Sequence, residues 1–120
     1  MFKILIVCWV TELLQSKMNI LNDAGYQIST AVNPVEAQVR ASESEFDLVV
    51  FGNCVPASDR SRIAANFKQK HPGIRVIMPY VNSIEKVELA DALVPATATP
   101  QDLLRAVTHL LGSAAKATGT

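Results

Sequence analysis

Two cysteines, Cys8 and Cys54, are the side chains of this sequence with the clearest capacity for redox or soft-metal chemistry. Each lies near the end of an apolar segment with the character of a buried strand, so the fold can bring the two thiols together. No cation that would lower a thiol pKa is evident beside them. Free cysteine is also among the most buried residue types. We therefore interpret the pair as small core side chains and keep a redox-responsive or metal-binding pair as the alternative hypothesis.

The histidines and a basic stretch are interpreted as structural. His71 precedes Pro72–Gly73 at a predicted helix end, where an imidazolium is favourable for the helix dipole. His109 lies opposite the apolar stripe of the last predicted helix, so we expect it to face solvent.

Basic residues on the third predicted helix are interpreted as a solvated face, with a docking face for an acidic partner as the alternative. They are Arg60, Arg62, Lys68 and Lys70.

Length, composition and charge exclude several classes of protein. The chain has 120 residues, 49% of them hydrophobic, which suits one folded domain. Eleven basic side chains balance eleven acidic ones, so we predict no binding to nucleic acid or to a membrane surface. The longest apolar run, Ile4–Val10, is far shorter than the ~20 residues of a membrane-spanning helix. The five glycines form no dinucleotide-binding or P-loop motif, and we expect a cytoplasmic protein without a cofactor.

Short apolar segments alternate with helical patterns along the chain. The predicted strands are Lys3–Cys8, Tyr26–Ala31, Phe46–Phe51, Ile74–Met78 and Asp91–Pro95. This alternation predicts an α/β fold, an open parallel five-stranded sheet with helices on both faces. We expect one domain over residues 1–112 and a flexible C-terminal tail over 113–120. Chemistry in such a sheet belongs outside the carboxyl ends of the strands.

Local signals predict where the helices begin and end. Asn33 before Pro34 and the Thr99–Asp102 capping box predict two helix starts. A Ser58–Asp59 cap predicts the start of the third helix. Gly25 is predicted to close the first helix in the left-handed conformation.

Over residues 2–111 the order and spacing of these segments resemble a response-regulator receiver domain. The matching segments are Lys3–Val7, Gly25–Tyr26, Asp47–Phe51 with Pro56 beyond it, His71–Met78 and Thr99–Leu104. The resemblance implies a flavodoxin-like sheet with strand order 2-1-3-4-5 and a role in bacterial two-component signalling. It also implies phosphoryl transfer from a histidine kinase onto an aspartate after the third strand, assisted by a divalent cation.

The residues that perform this chemistry in the family are all replaced here. The acceptor position falls on Gly52, and the acidic pair that holds the cation falls on Cys8 and Trp9. The hydroxyl position falls on Tyr80 and the lysine position on Ala96. Glycine has no nucleophile, and a thiol with an indole does not suit Mg²⁺. We therefore predict no catalytic residue, no metal ion and no enzyme activity.

Two further differences from the receiver family concern the shape of the crevice and the segment between the fourth and fifth strands. We expect the bulky Trp9, Tyr80 and Val81 to fill or cap the vacated crevice, with a Trp9 that faces a partner as the alternative. Only nine residues separate Tyr80 from Ala90, so the helix between the fourth and fifth strands is predicted to be shortened or absent. The fifth strand would then be partly uncovered, which favours a partner on that side.

Together these features predict a pseudo-receiver, a receiver-like domain that cannot be phosphorylated and acts through protein–protein interaction. Its partner would be another signalling protein, with a homodimer as a further interpretation. The alternative hypothesis is a thiol- or redox-responsive sensor that uses Cys8 and Cys54 on the same fold.

Overall fold

Five strands and four helices alternate along the part of the chain that the structure describes. The structure is a computed structural model that describes residues 2–10, 12, 14–43, 45–52, 54–80, 90–95 and 99–111. The strands are β1 (Lys3–Val7), β2 (Gln27–Ala31), β3 (Leu48–Phe51), β4 (Arg75–Tyr80) and β5 (Ala92–Pro95). The helices are α1 (Leu14–Asp23), α2 (Pro34–Glu43), α3 (Ala57–Lys70) and α4 (Pro100–Leu111).

All strand pairs in the sheet are parallel, and the strand order is β2-β1-β3-β4-β5. This confirms the predicted open parallel sheet and the order implied by the receiver resemblance. In the pairing of β1 with β3, Val7 lies opposite Phe51 at the carboxyl ends. The residues that follow these two strands, Cys8 and Gly52, therefore come out at the same edge of the sheet.

Two apolar layers cover the sheet, as a parallel sheet buried on both faces requires. Because side chains alternate along a strand, Leu5 and Val7 of β1 pack on the α2–α3 side. Ile4 and Ile6 pack on the α1–α4 side. Cys8 continues this alternation and belongs to the α1–α4 layer. The sheet thus directs the Cys8 thiol towards that layer.

The predicted helix boundaries at Gly25, Asn33 and Thr99 are confirmed. Gly25 has φ 99°, and the N–H groups of Gly25 and Tyr26 donate to the carbonyls of Asn22 and Leu21, which is a Schellman motif. The Asn33 side chain accepts the Glu36 N–H at 2.8 Å. Thr99 and Asp102 exchange reciprocal bonds at 3.1 and 3.2 Å, which is a capping box.

Other predicted boundaries differ in the structure; β3, for example, begins at Leu48 and not at Phe46. The helix α3 begins at Ala57 after Pro56, without a side-chain cap, so the predicted Ser58–Asp59 cap is wrong. The Asp59 carboxylate pairs instead with Arg62 at 2.7 Å, inside the first turn. The strand β4 continues two residues beyond the predicted end at Met78, because its last residues pair with β5.

Some predictions fall on residues outside the described ranges. These are the shortened helix between the fourth and fifth strands and the flexible C-terminal tail. Among the described helices, none combines the length and the apolar character needed to cross a membrane.

Candidate thiol site at the carboxyl ends of the strands

The end of β3 and the turn after it bring Cys54 against Cys8. The Gly52 N–H donates to the Val7 carbonyl at 2.8 Å, which holds the end of β3 against the end of β1. The Val55 N–H then donates back to the Gly52 carbonyl at 3.2 Å. This bond turns the chain before α3 begins at Ala57. The turn keeps Cys54 at the edge where β1 ends.

The two thiols are in direct contact. The Sγ atoms of Cys8 and Cys54 are 2.7 Å apart. This is closer than the ~3.5–4.0 Å at which non-bonded heavy atoms usually pack. Cys8 is fully buried and Cys54 is half-buried. Of the two residues, Cys54 is therefore the more exposed.

Hydrogen bonds on both sides hold the pair in place. The Trp9 N–H donates to the Cys54 Sγ at 3.2 Å. The Cys8 thiol lies 3.4 Å from the Val10 carbonyl and can donate to it. One consistent chain of donors therefore runs from the Trp9 amide through Cys54 and Cys8 to the Val10 carbonyl.

Burial raises the pKa of the Cys8 thiol. The hydrogen bond with Cys54 raises this pKa further, while the bond to the Val10 carbonyl lowers it. A buried thiol keeps its proton because the thiolate would lose its solvation. Cys8 is therefore a protonated thiol at neutral pH.

Gly52 leaves the space that the sulfur atoms occupy. A Cβ atom at this position would lie 3.0 Å from the Cys8 Sγ and 3.5 Å from the Cys54 Sγ. The φ angle of Gly52 is not positive, so its backbone conformation is open to other residues. A larger residue at this position is therefore disfavoured by crowding against the Cys8 sulfur and not by backbone geometry.

Of the bulky residues predicted to fill or cap the crevice, Trp9 and Tyr80 belong to the described residues. Trp9 is half-buried and packs on the α2–α3 layer, the opposite side of the sheet from Cys8. Tyr80 is half-buried at the end of β4. The atoms nearest to the missing Cβ of Gly52 belong to the two cysteines. The predicted sites Ala96 and Val81 lie outside the described residues.

A small cavity of about 40 Å³ adjoins Gly52 on the α1–α4 side. Its volume is comparable to the ~30 Å³ that one water molecule occupies in the liquid. Its lining includes Lys17, Gly52, Pro79, Thr99 and Leu103. Sequence reasoning missed Lys17, because one lysine in an amphipathic helix carries no motif and only the packing of α1 places it here.

The donor atoms of the site do not fit the Mg²⁺ ion that the receiver resemblance implies. Mg²⁺ prefers oxygen ligands in octahedral geometry, whereas Cys8 and Cys54 offer sulfur and Gly52 offers no side chain. Within the described ranges, no three side chains of His, Cys, Asp or Glu are grouped so that they could hold a metal ion. Asp59, the nearest acid after β3, is paired with Arg62.

The histidines lie away from the thiols. The His71 Nε2 is 3.1 Å from the Ala41 carbonyl and connects the end of α3 to α2, which agrees with the structural role predicted for it. This contact precedes β4, at the opposite end of the sheet from Cys54. His109 is exposed on α4, as expected. Neither histidine can act as a base for a cysteine nucleophile.

The basic residues of α3 bind groups within the molecule. Arg60 donates to the Val55 carbonyl at 2.7 Å, and Lys68 pairs with Asp91 at 2.9 Å. Arg62 pairs with Asp59, and Lys70 donates to the Ser42 hydroxyl. Because these four basic side chains already have partners within the molecule, they are less available to an acidic partner than the sequence indicates.

No protein-family model matches the sequence, and no curated protein is significantly similar to it. Solved structures with this fold include the chemotaxis response regulator CheY4 of Vibrio cholerae. It matches with a TM-score of 0.81 and 22% identity, over 92% of this chain and 99% of that chain. A CheY-like response regulator receiver domain protein from Methanospirillum hungatei JF-1 matches with a TM-score of 0.79 and 25% identity, over 98% of both chains.

The same fold also occurs in a solved adenylate cyclase chain from Rhodopirellula baltica. The TM-score is 0.79 and the identity is 15%, over 97% of this chain and 91% of that chain. The fold of the present chain is thus the CheY-like, flavodoxin-like fold of receiver domains. Because one fold serves different activities, function has to be argued from the site.

Proposed function

We propose that this protein is a receiver-fold signalling protein that cannot be phosphorylated and acts by binding another signalling protein. The observation that supports this most strongly is at Gly52, the position that matches the phospho-acceptor. It has no side chain, and the two cysteine sulfurs occupy the adjacent space. A phosphoryl group has no nucleophile to which it could be transferred there.

The groups that assist phosphoryl transfer are also missing from the described crevice. Transfer depends on cations that neutralise the charge of the phosphoryl oxygens and on ligands that hold a divalent ion. Cys8 and Trp9 replace the acidic pair, and neither side chain is a ligand for Mg²⁺. Lys17 is the one charged side chain that lines the adjoining cavity among the described residues.

A binding role agrees with the integrity of the scaffold. Over the described residues the chain forms a five-stranded sheet with an apolar layer on each face. A scaffold without catalytic groups can still present a surface to a partner. We therefore propose that the protein has no enzymatic activity of its own, and that its partner is a signalling protein or a second copy of the chain.

Incubation with Mg²⁺ and a small phosphodonor, followed by intact-mass measurement, tests this proposal. We expect no gain in mass, while a receiver domain with its acceptor aspartate gains one phosphoryl group in the same buffer. A stable gain of one phosphoryl group on the present chain would contradict the proposal.

The partner is tested by affinity capture from a lysate of the source organism. The same signalling protein should be retained with and without the phosphodonor, and retention only after donor treatment would count against the proposal.

A further inference from the structure

We propose that Cys8 and Cys54 form a reversible disulfide that makes the crevice a redox-responsive site. Their sulfur atoms are 2.7 Å apart and a disulfide bond is about 2.05 Å long, so bond formation brings the sulfurs closer by about 0.7 Å. The two residues are 46 positions apart in sequence, so the contact is a product of the fold. This inference does not depend on whether the protein can be phosphorylated.

The surroundings of the two thiols assign them different roles. Cys54 is half-buried, and its Sγ accepts the Trp9 N–H at 3.2 Å. Cys8 is fully buried, and burial raises its pKa. The oxidant reaches the more exposed cysteine first, and a resolving cysteine needs to lie next to it. Cys54 is thus the thiol that meets the oxidant, and Cys8 is the thiol that resolves the product.

Hydrogen peroxide is an oxidant of the required class. The Cys54 thiol gives its proton to solvent and its sulfur attacks one peroxide oxygen. An S–O bond forms, the O–O bond breaks, and the hydroxide that leaves takes a proton from solvent to become water. Cys54 is then a sulfenic acid, oxidised by two electrons. The Cys8 sulfur attacks the Cys54 sulfur, the S–S bond forms, and the hydroxyl group leaves with the Cys8 proton as a second water. A dithiol reductant restores both thiols by exchange.

Gly52 provides the space for this chemistry. A Cβ at this position would lie 3.0 Å from the Cys8 Sγ and 3.3 Å from its Cβ. A larger residue would therefore displace the buried thiol from its partner. Under this proposal, the absence of a side chain at Gly52 both leaves no phospho-acceptor and lets the two sulfur atoms meet.

The disulfide would connect two loops at the carboxyl edge of the sheet. Cys8 follows β1, and Cys54 lies in the turn that precedes α3. Cys54 packs on both apolar layers, so a bond to it constrains both. Oxidation would thus restrain the edge of the sheet that carries chemistry in this class of fold.

Peroxide treatment of the folded, fully reduced chain tests the proposal. Free thiols are counted in denaturant after the peroxide is removed, and the intact mass is measured. We expect both thiols to disappear, the mass to fall by two hydrogen atoms, and a Cys8–Cys54 cross-linked peptide to appear. Dithiothreitol should restore both thiols. The rate should not depend on protein concentration, because both sulfurs belong to one chain.

Two single variants separate the roles of the thiols. In Cys8→Ser, Cys54 should accumulate as a sulfenic acid that a dimedone probe traps. In Cys54→Ser, Cys8 should react about tenfold or more slowly than Cys54 does in the first variant, because it is buried. Circular dichroism checks that both variants fold.

Three results would overturn the proposal. One is retention of both free thiols in the folded wild-type chain after peroxide treatment. Another is a disulfide found only between chains. A third is oxidation of Cys54 beyond the sulfenic acid while Cys8 stays free. The wild-type measurement decides the matter even if a variant fails to fold, and it is independent of the phosphodonor experiment.

Discussion

At position 52 the lack of a side chain leaves room that two sulfur atoms occupy. The Sγ of Cys8 lies 3.0 Å from where a Cβ would stand. The same residue thus removes a nucleophile and admits a thiol pair. The proposed absence of phosphoryl transfer and the proposed disulfide would both depend on the volume of this one side chain.

Substitution of Gly52 by alanine should destabilise the protein. The added Cβ crowds the Cys8 thiol in a closely packed layer, and we expect a loss of about 1–2 kcal/mol in the free energy of unfolding. Urea denaturation measures this loss. The control is Gly73→Ala, where an added Cβ meets no atom within 4 Å and φ is not positive. That variant should be neutral or up to about 1 kcal/mol more stable.

A double variant shows whether the crowding involves Cys8. In the background of Cys8→Ala, the Gly52→Ala change should cost markedly less, because the sulfur it crowds is gone. Equal costs in the two backgrounds would mean that Cys8 does not restrict position 52.

Part of this site could be predicted from sequence. Cys8 and Gly52 come after apolar strands, and the parallel sheet places such residues at one edge. The sequence also indicated that the two thiols could approach each other, whereas their direct contact depends on the turn closed by the bond from the Val55 N–H to the Gly52 carbonyl. The burial of Cys8 agrees with its interpretation as a core side chain, and the redox alternative stays a prediction.

At the scale of elements, helix ends with side-chain caps were predictable and the uncapped end was not. Asn33 and Thr99 accept backbone N–H groups as their sequence motifs indicate. The start of α3 after Pro56 has no such side-chain bond, so the search for a cap selected residues that lie inside the helix.

The capping box at α4 should make stability depend on pH. The Thr99 N–H bond lowers the pKa of the Asp102 carboxyl. A lowered folded-state pKa stabilises the fold above the unfolded-state pKa, and this stabilisation is lost as pH falls from about 4 through the lowered value. Asp102→Asn should therefore lower the melting temperature at neutral pH, and the difference should vanish in strong acid. A difference that persists there would contradict this assignment.

Asp91 connects α3, β4 and β5 through one carboxylate. Its Oδ2 accepts the Val76 N–H at 2.7 Å and the Lys68 ammonium at 2.9 Å. Asp91→Ala should cost about 2–3 kcal/mol in the free energy of unfolding, because the part-buried N–H loses its partner. Asp59→Ala is the control, since its carboxylate has the same 25% exposure and pairs with Arg62. It should cost about 1 kcal/mol or less. If both variants lost the same free energy of unfolding in urea denaturation, the bond from the Val76 N–H to Asp91 would add nothing to stability.

At the scale of the whole molecule, the parallel sheet follows from the alternation of strands and helices. Continuous apolar strands such as Leu48–Phe51 predict burial on both faces, and the structure has two layers. The strand order came from the receiver resemblance, since alternation alone permits several orders. The structure of 81–89 lies outside the described ranges, so the predicted shortening of that helix stays a prediction.

Oxidation should stabilise the whole chain. A disulfide between residues 46 positions apart lowers the entropy of the unfolded chain, which corresponds to at most about 4 kcal/mol. The urea midpoint of the peroxide-treated protein should rise and return after dithiothreitol. The Cys8→Ser variant, treated in the same way, should show no such rise. A lower midpoint after oxidation would mean that the bond strains the fold.

The most direct test of whether the crevice at Gly52 binds a phosphoryl group is an NMR titration with Mg²⁺ and beryllofluoride, which mimics a phosphoryl group. Amide resonances of Cys8, Trp9 and Gly52 report on the crevice where the mimic would bind. We predict that these resonances keep their positions throughout the titration. Saturable shifts centred on Gly52 would contradict the account, because they would mean that the crevice still binds a phosphoryl group with its cation.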